Sequence, residues 1–279
     1  MRLFAINAGN FKLDGGAMFG VVPKSIWNKA NPADANNLCT WATRCLLIEN
    51  GKQLVLIDTG LGNKQDESFF KHYFRDAPQT WDQLLKPYGF QAADITDVFL
   101  THLHFDHVGA ALMKNGEKIF PTFKNATYWS NQKHWEWAIN PNPREKASFL
   151  KENLFPLQES GQLHFIDSSK SPFDWMEVIT VDGHTEQQML PLISTPKGKL
   201  LYAADLLPSA GHIPMPYIMS YDVRPLVSMQ EKEHIFKRAL AESWNIFLEH
   251  DPVIECVNLH MTEKGVRMHN TFRLNDLNA

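Results

Sequence analysis

Cysteine is scarce. The 279 residues contain three, Cys39, Cys45 and Cys256, an odd number with no C-x-x-C pair. That excludes a disulfide framework and a cysteine-built zinc site, and it suits a reducing compartment. Runs of lysine or arginine are missing too, and 27 basic against 31 acidic side chains leave a formal charge of -4. Without a basic stripe to track phosphates, nucleic acid is not an expected partner; a neutral or hydrophobic small molecule fits better. No stretch approaches the roughly 20 apolar residues of a membrane span. No apolar signal-peptide core follows Met1 either, because Asn7, Asn10, Lys12 and Asp14 interrupt the first segment. A cytoplasmic location without membrane contact is expected, provided no export segment precedes Met1. Internal repeats, low-complexity tracts and Gly/Ser linkers are also absent, so residues 1–279 read as one domain with a sizeable core.

What is present is a mixture of strand and helix signals. Cys45-Leu46-Leu47-Ile48 and Leu54-Val55-Leu56-Ile57, separated by Gly51, read as an antiparallel hairpin that ends at Asp58-Thr59-Gly60. Thr80 is a candidate N-cap for a helix carrying Trp81, Leu84 and Leu85, stopped by Gly89. Val98-Phe99-Leu100 reads as a buried strand, and Val108 to Leu112 as the start of a helix. The region from about 115 to 175 is broken into short pieces by Trp129, Trp135, Trp137, Pro141 and Pro143, and its internal structure is poorly legible in the sequence. Glu177–Val181 and Lys199–Ala204 read as strands. Ser228 with Glu231 makes a capping-box pattern ahead of Ile235, Phe236, Ala239 and Leu240, with a strand near Phe247 beyond it. An α/β layered domain follows.

The chemistry sits at strand ends. After Val98–Leu100 come Thr101-His102-Leu103-His104-Phe105-Asp106-His107. Alternate side chains of an extended segment share a side, so His102 and His104 can hold one metal ion while Leu103 faces the core. If the chain then turns, Asp106 and His107 reach a second position a few ångströms away. Imidazole and carboxylate suit zinc, and also iron or manganese. An isolated H-x-H occurs readily by chance, whereas H-x-H-x-D-H after a buried strand is specific. Further ligands should come from distant strand ends, where His184, Asp205 and His250 stand.

Through Thr101–His107 and these three positions the chain resembles the metallo-β-lactamase superfamily. The resemblance implies an αββα sandwich and two divalent metal ions, with zinc the leading choice. It assigns His102, His104 and His184 to one ion, Asp106, His107 and His250 to the other, and Asp205 to both. Asp58 matches an early aspartate that supports the ligands through hydrogen bonds. Gly15–Lys24, Asp205-Leu206-Leu207-Pro208, Tyr221-Asp222 and Glu249-His250-Asp251-Pro252 are similar to the branch of N-acyl homoserine lactone lactonases and methyl parathion hydrolase. The β-lactamases themselves commonly carry cysteine at the position of Asp205, which disfavours antibiotic hydrolysis. The short stretch after His250 disfavours a glyoxalase II-like enzyme.

Two cations touching one water lower its pKa from about 15.7 toward neutrality, making a bridging hydroxide available as nucleophile. The expected function is therefore a metal-dependent hydrolase, a lactonase or esterase on a small neutral substrate of the acyl homoserine lactone type. The alternatives are a phosphotriesterase of the methyl parathion hydrolase kind and an iron-dependent redox enzyme on the same fold. Asp106 and Asp205 are the candidate catalytic groups, Asp106 by holding the hydroxide and shuttling its proton. Met18, Phe19, Trp27, Phe105 and His212 are candidate pocket residues. For Met18, Phe19 and Trp27 the competing reading is core packing, and for His212 a surface loop. His72, His134, His164, His234, His260 and His269 lack ligand spacing and read as surface or satisfied core histidines. A homodimer is suggested by the relatives.

Overall fold

Strand β2 (Leu38–Asn50) is buried on both faces, as its run of apolar residues requires. Leu46 and Ile48 point into one hydrophobic cluster and Cys45 and Leu47 into another. Strand β3 (Gln53–Ile57) divides the same way, with Val55 and Ile57 on the first side and Leu54 and Leu56 on the second. This period of two is that of a sheet covered on both faces. The computed structural model describes residues 1–167 and 170–278.

Among these, two six-stranded sheets pack face to face. The first has the order β1–β2–β3–β4–β7–β8, with β1 (Arg2–Asp14), β4 (Asp97–Phe99), β7 (Thr127–Asn131) and β8 (Leu163–Ile166). The second runs β14–β13–β12–β11–β10–β9, from β9 (Met176–Val181), β10 (Gln188–Thr195), β11 (Gly198–Tyr202) and β12 (Asn245–Phe247) to β13 (Cys256–Thr262) and β14 (Gly265–Phe272). Between β4 and β7 lies a hairpin of β5 (Leu112–Asn115) and β6 (Lys118–Pro121). The cluster between the sheets joins Leu46, Val55, Ile57 and Phe99 to Leu190, Leu192, Leu201 and Ile246. Helices Trp81–Leu85, Gln132–Ile139 and Lys151–Glu159 cover the first sheet's other face through Trp81, Leu85, Trp135, Leu154 and Leu157. Helix Pro225–Ala241 packs against the second sheet through Ile235, Phe236 and Ala239. The layers are therefore α/β/β/α, as expected. No helix among the described residues is long and apolar enough to cross a membrane.

β3, β4, β7 and β8 are mutually parallel, and β9, β11 and β12 also run in one direction. Their C-terminal ends therefore lie at common edges, and the segments after β3, β4, β9, β11 and β12 carry Asp58, His102–His107, His184, Asp205 and His250. Parallel pairing needs long crossovers, which is why the tryptophan-rich middle folds as two helices between β7 and β8. The 45–57 hairpin and the Thr80 cap form as read: Thr80 Oγ1 accepts from Gln83 N at 3.2 Å, and Gln83 Oε1 accepts from Thr80 N at 2.9 Å.

Three features differ from expectation. The helix expected from Val108 to Leu112 is one turn, Phe105–Val108, followed by a 3-10 turn, and Leu112 already belongs to β5. Ser228 is not an N-cap, because the long helix starts three residues earlier at Pro225. Ser228 instead presses on Gly183, where a Cβ would lie 2.3 Å from Ser228 N. Glu231 likewise serves another loop, accepting from the backbone N–H groups of Asp182 (2.7 Å) and Gly183 (3.0 Å). Finally, β1 is a 13-residue strand that local pattern did not reveal, since its polar face is solvated and its register is held by β2.

Candidate metal centre

Beyond β4 the chain runs through Leu100–His104 without regular structure and then coils into the turn Phe105–Val108. Thr101 is held by Asp58, whose Oδ1 accepts from Thr101 N at 2.8 Å and whose Oδ2 accepts from Thr101 Oγ1 at 2.7 Å. Asp58 itself adopts φ 57°, a left-handed conformation rare for a residue with a side chain. Leu103 points into the helical layer, and its N–H donates to His134 Nε2 at 2.9 Å. His102 and His104 therefore face the opposite side together. His107 N and Val108 N then bond back to His104 O, both at 3.0 Å, making the turn that swings Asp106 and His107 to the same region.

Side-chain atoms of His102, His104, His184 and Asp205 lie within 4.8 Å of one another, as do those of Asp106, His107 and His250. In the first group His104 Nδ1 is 3.1 Å from both His102 Nε2 and His184 Nε2, and Asp205 Oδ2 is 2.9 Å from His184 Nε2. In the second, His107 Nε2 and His250 Nε2 are 3.3 Å apart, and Asp106 Oδ2 is 3.7 and 3.9 Å from them. Asp205, a member of the first group, also reaches the second, its Oδ1 lying 2.9 Å from His250 Nε2 and its Oδ2 3.5 Å from His107 Nε2. A tetrahedral ion with bonds of about 2.0–2.1 Å separates its ligand atoms by about 3.3 Å, so these spacings fit a metal.

The outward nitrogens strengthen that fit. His250 Nδ1 donates to the Ala42 carbonyl at 2.7 Å, His184 Nδ1 to Asp222 Oδ1 at 2.9 Å, and His107 Nδ1 to Asp58 Oδ2 at 3.1 Å. In a neutral ring with the proton outside, the inner nitrogen carries a lone pair. Once deprotonated, His107 Nε2 and His250 Nε2, 3.3 Å apart, would each offer a lone pair to a cation shared by the two rings. Electrostatics agrees. Burial disfavours charge on Asp205, yet His184, His107 and His250 hold its carboxyl far below the usual range. Burial also opposes protonation of His184 and His250, yet Asp205 raises them to about 10 and about 9. Burial, with His107 and His104 beside it, holds His102 well below the ordinary imidazole range. Three imidazoles, His107, His184 and His250, thus supply around one carboxylate the positive charge that a metal would bring.

The groups open into a cavity of about 310 Å³ whose wall joins apolar and aromatic side chains, Phe11, Trp41, Tyr73, Phe105 and Met219 among them, to the polar Arg144, Glu145, Ser148 and Ser220. Met18 also lines it. Phe19, Trp27 and His212, read as candidates for this wall, lie behind it. Phe19 stacks between Trp27 (5.3 Å) and His212 (4.4 Å), and His212 is satisfied by Ser209 Oγ at 2.8 Å and by donation to Met18 O at 2.9 Å. A histidine with both nitrogens bonded in the core has nothing left for a substrate. His134 is likewise a satisfied core histidine, and His72, His164, His234, His260 and His269 are exposed. The three cysteines are buried and free.

Sequence reasoning missed Glu249 and Gln188. Glu249 is fully buried with Oε2 3.3 Å from His107 Nδ1, and burial raises it to about 7. Gln188 Nε2 lies 3.3 Å from His102 Nδ1. Glu249 sits directly before His250 and signalled only by that adjacency; Gln188 gave no signal.

The sequence pattern of the Metallo-beta-lactamase superfamily matches residues 40–248. An N-acyl homoserine lactonase of Bacillus cereus is 24% identical over 210 residues, covering 72% of this chain and 73% of that one. A probable metal-dependent hydrolase from Staphylococcus aureus superposes with a TM-score of 0.88 at 26% identity, over 97% of this chain and 95% of that one. AidC, a dizinc quorum-quenching lactonase crystallised with a product, superposes with a TM-score of 0.81 at 22% identity over the same shares. Sequence pattern, layered sheets and the clustered histidines and aspartates thus agree, and this chain belongs to the metallo-β-lactamase superfamily as one of its hydrolases.

Proposed function

We propose that the protein is a dinuclear metal-dependent lactonase or esterase acting on a small neutral substrate with an apolar arm, of the acyl homoserine lactone type. The observation that carries this reading is the position of Asp205 within reach of two ligand groups that open into a cavity with an aromatic and apolar side. His102, His104 and His184 would hold one ion, Asp106, His107 and His250 the other, with Asp205 common to both and zinc the ion proposed. When bound, two such ions lower the pKa of a shared water and polarise a scissile carbonyl.

The chain's own residues supply the rest. Phe11, Trp41, Phe105 and Met219 bury an acyl arm, each methylene contributing about 0.8 kcal/mol. Asp106 lines the cavity beside His107 and His250, so one of its carboxylate oxygens can take the proton of the attacking water and pass it to the leaving oxygen. The buried walls limit bulk water around the reacting groups. The similarity to curated lactonases supports the lactone over other esters, and quorum quenching would be the corresponding role.

The test is a substrate panel run on zinc-, manganese- and iron-loaded protein, beside metal analysis. Acyl homoserine lactone turnover exceeding that of aryl esters and paraoxon analogues, with two ions per chain, is the expected result. Turnover of the phosphotriesters alone would move the assignment to that chemistry. One iron per chain with oxygen consumption would move it to redox.

A further inference from the structure

Resting on the metal reading above, one more residue acquires a role. Among the five clustered imidazoles, His104 turns Nδ1 inward while His102, His107, His184 and His250 turn Nε2 inward. The outer nitrogens of His107, His184 and His250 meet a carboxylate or a carbonyl, and that of His102 meets Thr101 Oγ1 at 3.1 Å. His104 Nε2 is buried and has no hydrogen-bond partner among the described residues. Facing it at 3.5 Å is Glu145 Oε1, which is buried and equally without a partner.

Glu145 is 2% exposed, on the loop between the two helices that follow β7. Its other oxygen is committed, Oε2 accepting from Trp137 Nε1 at 2.8 Å and from Asn142 Nδ2 at 2.5 Å. The backbone is fixed as well, with Glu145 N donating to Asn142 O at 3.2 Å and Ser148 N donating to Glu145 O at 2.8 Å. Two anchors on Oε2 leave Oε1 aimed at the imidazole. A buried donor and a buried acceptor left unmade are both costly, and these two face each other.

We infer that Glu145 is a positioning residue for the metal centre: its carboxylate accepts the Nε2 proton of His104 and so holds the ring in the tautomer whose Nδ1 lone pair faces His102 and His184. A carboxylate behind a ligating imidazole also raises its basicity toward a cation. Because Glu145 and its neighbours Arg144, Ala147 and Ser148 line the cavity, the same loop that shapes the substrate wall orients one ligand.

The test is zinc and cobalt affinity, measured by competition with a chromophoric chelator on wild-type protein and on Glu145→Ala and Glu145→Gln. The expected result is an ion bound about 10–100-fold more weakly in the alanine variant, the other ion unchanged. The cobalt absorption spectrum should shift, and the metal-free Tm should fall because Trp137 Nε1 and Asn142 Nδ2 lose their acceptor. Gln separates the two effects: its amide oxygen can still accept from Trp137 and Asn142, which leaves an amide N–H opposite His104 Nε2, so the Tm should recover and the affinity should not. Wild-type affinity for both ions in the alanine variant would overturn the inference. So would a Gln variant that recovers Tm and affinity together, since that is the signature of a loop support. If the alanine variant does not fold, Glu145→Gln against wild type decides, equal affinities overturning it. Wild-type protein that binds no ion at all would instead end the parent reading.

Discussion

A Cβ on Gly109 would lie 2.0 Å from the carbonyl oxygen of Leu61, closer than real atoms pack. The two segments in contact are the one after Asp58 and the one after His107, so this approach sets the distance between Asp58 and the imidazole it supports. Gly109→Ala is expected to destabilise the fold by about 1–3 kcal/mol and to weaken metal retention. Denaturant titration with metal analysis checks this; an alanine variant of unchanged stability would contradict it.

Metal removal should be visible in both stability and protons. At a free ion concentration of about 100 times Kd, binding contributes about 2.7 kcal/mol, which for a chain of this size is about 5–10 °C of Tm. In the metal-free protein His184 and His250 titrate near 10 and 9, so at neutral pH they hold protons that an incoming cation displaces. Uptake should therefore release protons, and affinity should rise with pH. Indicator dye in weakly buffered solution reads the release, and pH-independent affinity would contradict it.

Lys232 ties down the segment that leads to the cavity wall. Its Nζ donates to the carbonyls of His212 (2.8 Å), Pro214 (2.9 Å) and Tyr217 (3.1 Å), and burial lowers it to about 7. In the unfolded chain a lysine titrates at about 10.4. Between these values the unfolded state binds the extra proton, so the Lys232 contribution to stability increases as pH rises from about 7 toward 10. Lys232→Met should lower stability overall and flatten this slope. Guanidinium unfolding at pH 7 and 9.5 makes the comparison, and identical slopes in the two proteins would count against it.

Met219, buried at the cavity wall, is placed to limit the apolar arm of a substrate. Met219→Trp should cost longer acyl homoserine lactones at least about 10-fold in kcat/KM relative to butanoyl, since a lost methylene contact is worth about 0.8 kcal/mol. A uniform change across the acyl series would show that the arm lies elsewhere.

Much of the centre was legible because its information is local. His102, His104, Asp106 and His107 lie within six residues, where strand alternation followed by one helical turn dictates which side each faces. His184, Asp205 and His250 could be picked out because each closely follows an apolar run. Glu145 could not, since its loop carries no strand signal and its link to His104 exists only through the fold. Ser228 and Glu231 misled for the same reason: their spacing is that of a cap, but the partners they found are Gly183 and Asp182 of another segment.

Residue types and their spacing by themselves determined the class of fold, the strand–turn–helix geometry of the histidine segment, and the donor chemistry suited to a cation. Tertiary structure alone decided which nitrogen of each ring turns inward, what stands behind it, and that Phe19, Trp27 and His212 form a stack behind the wall rather than the wall itself. The reason is physical. Backbone periodicity acts over a few residues, whereas a ring's tautomer and a pocket's lining depend on contacts between segments more than a hundred positions apart, such as His107 with His250 and His212 with Met18.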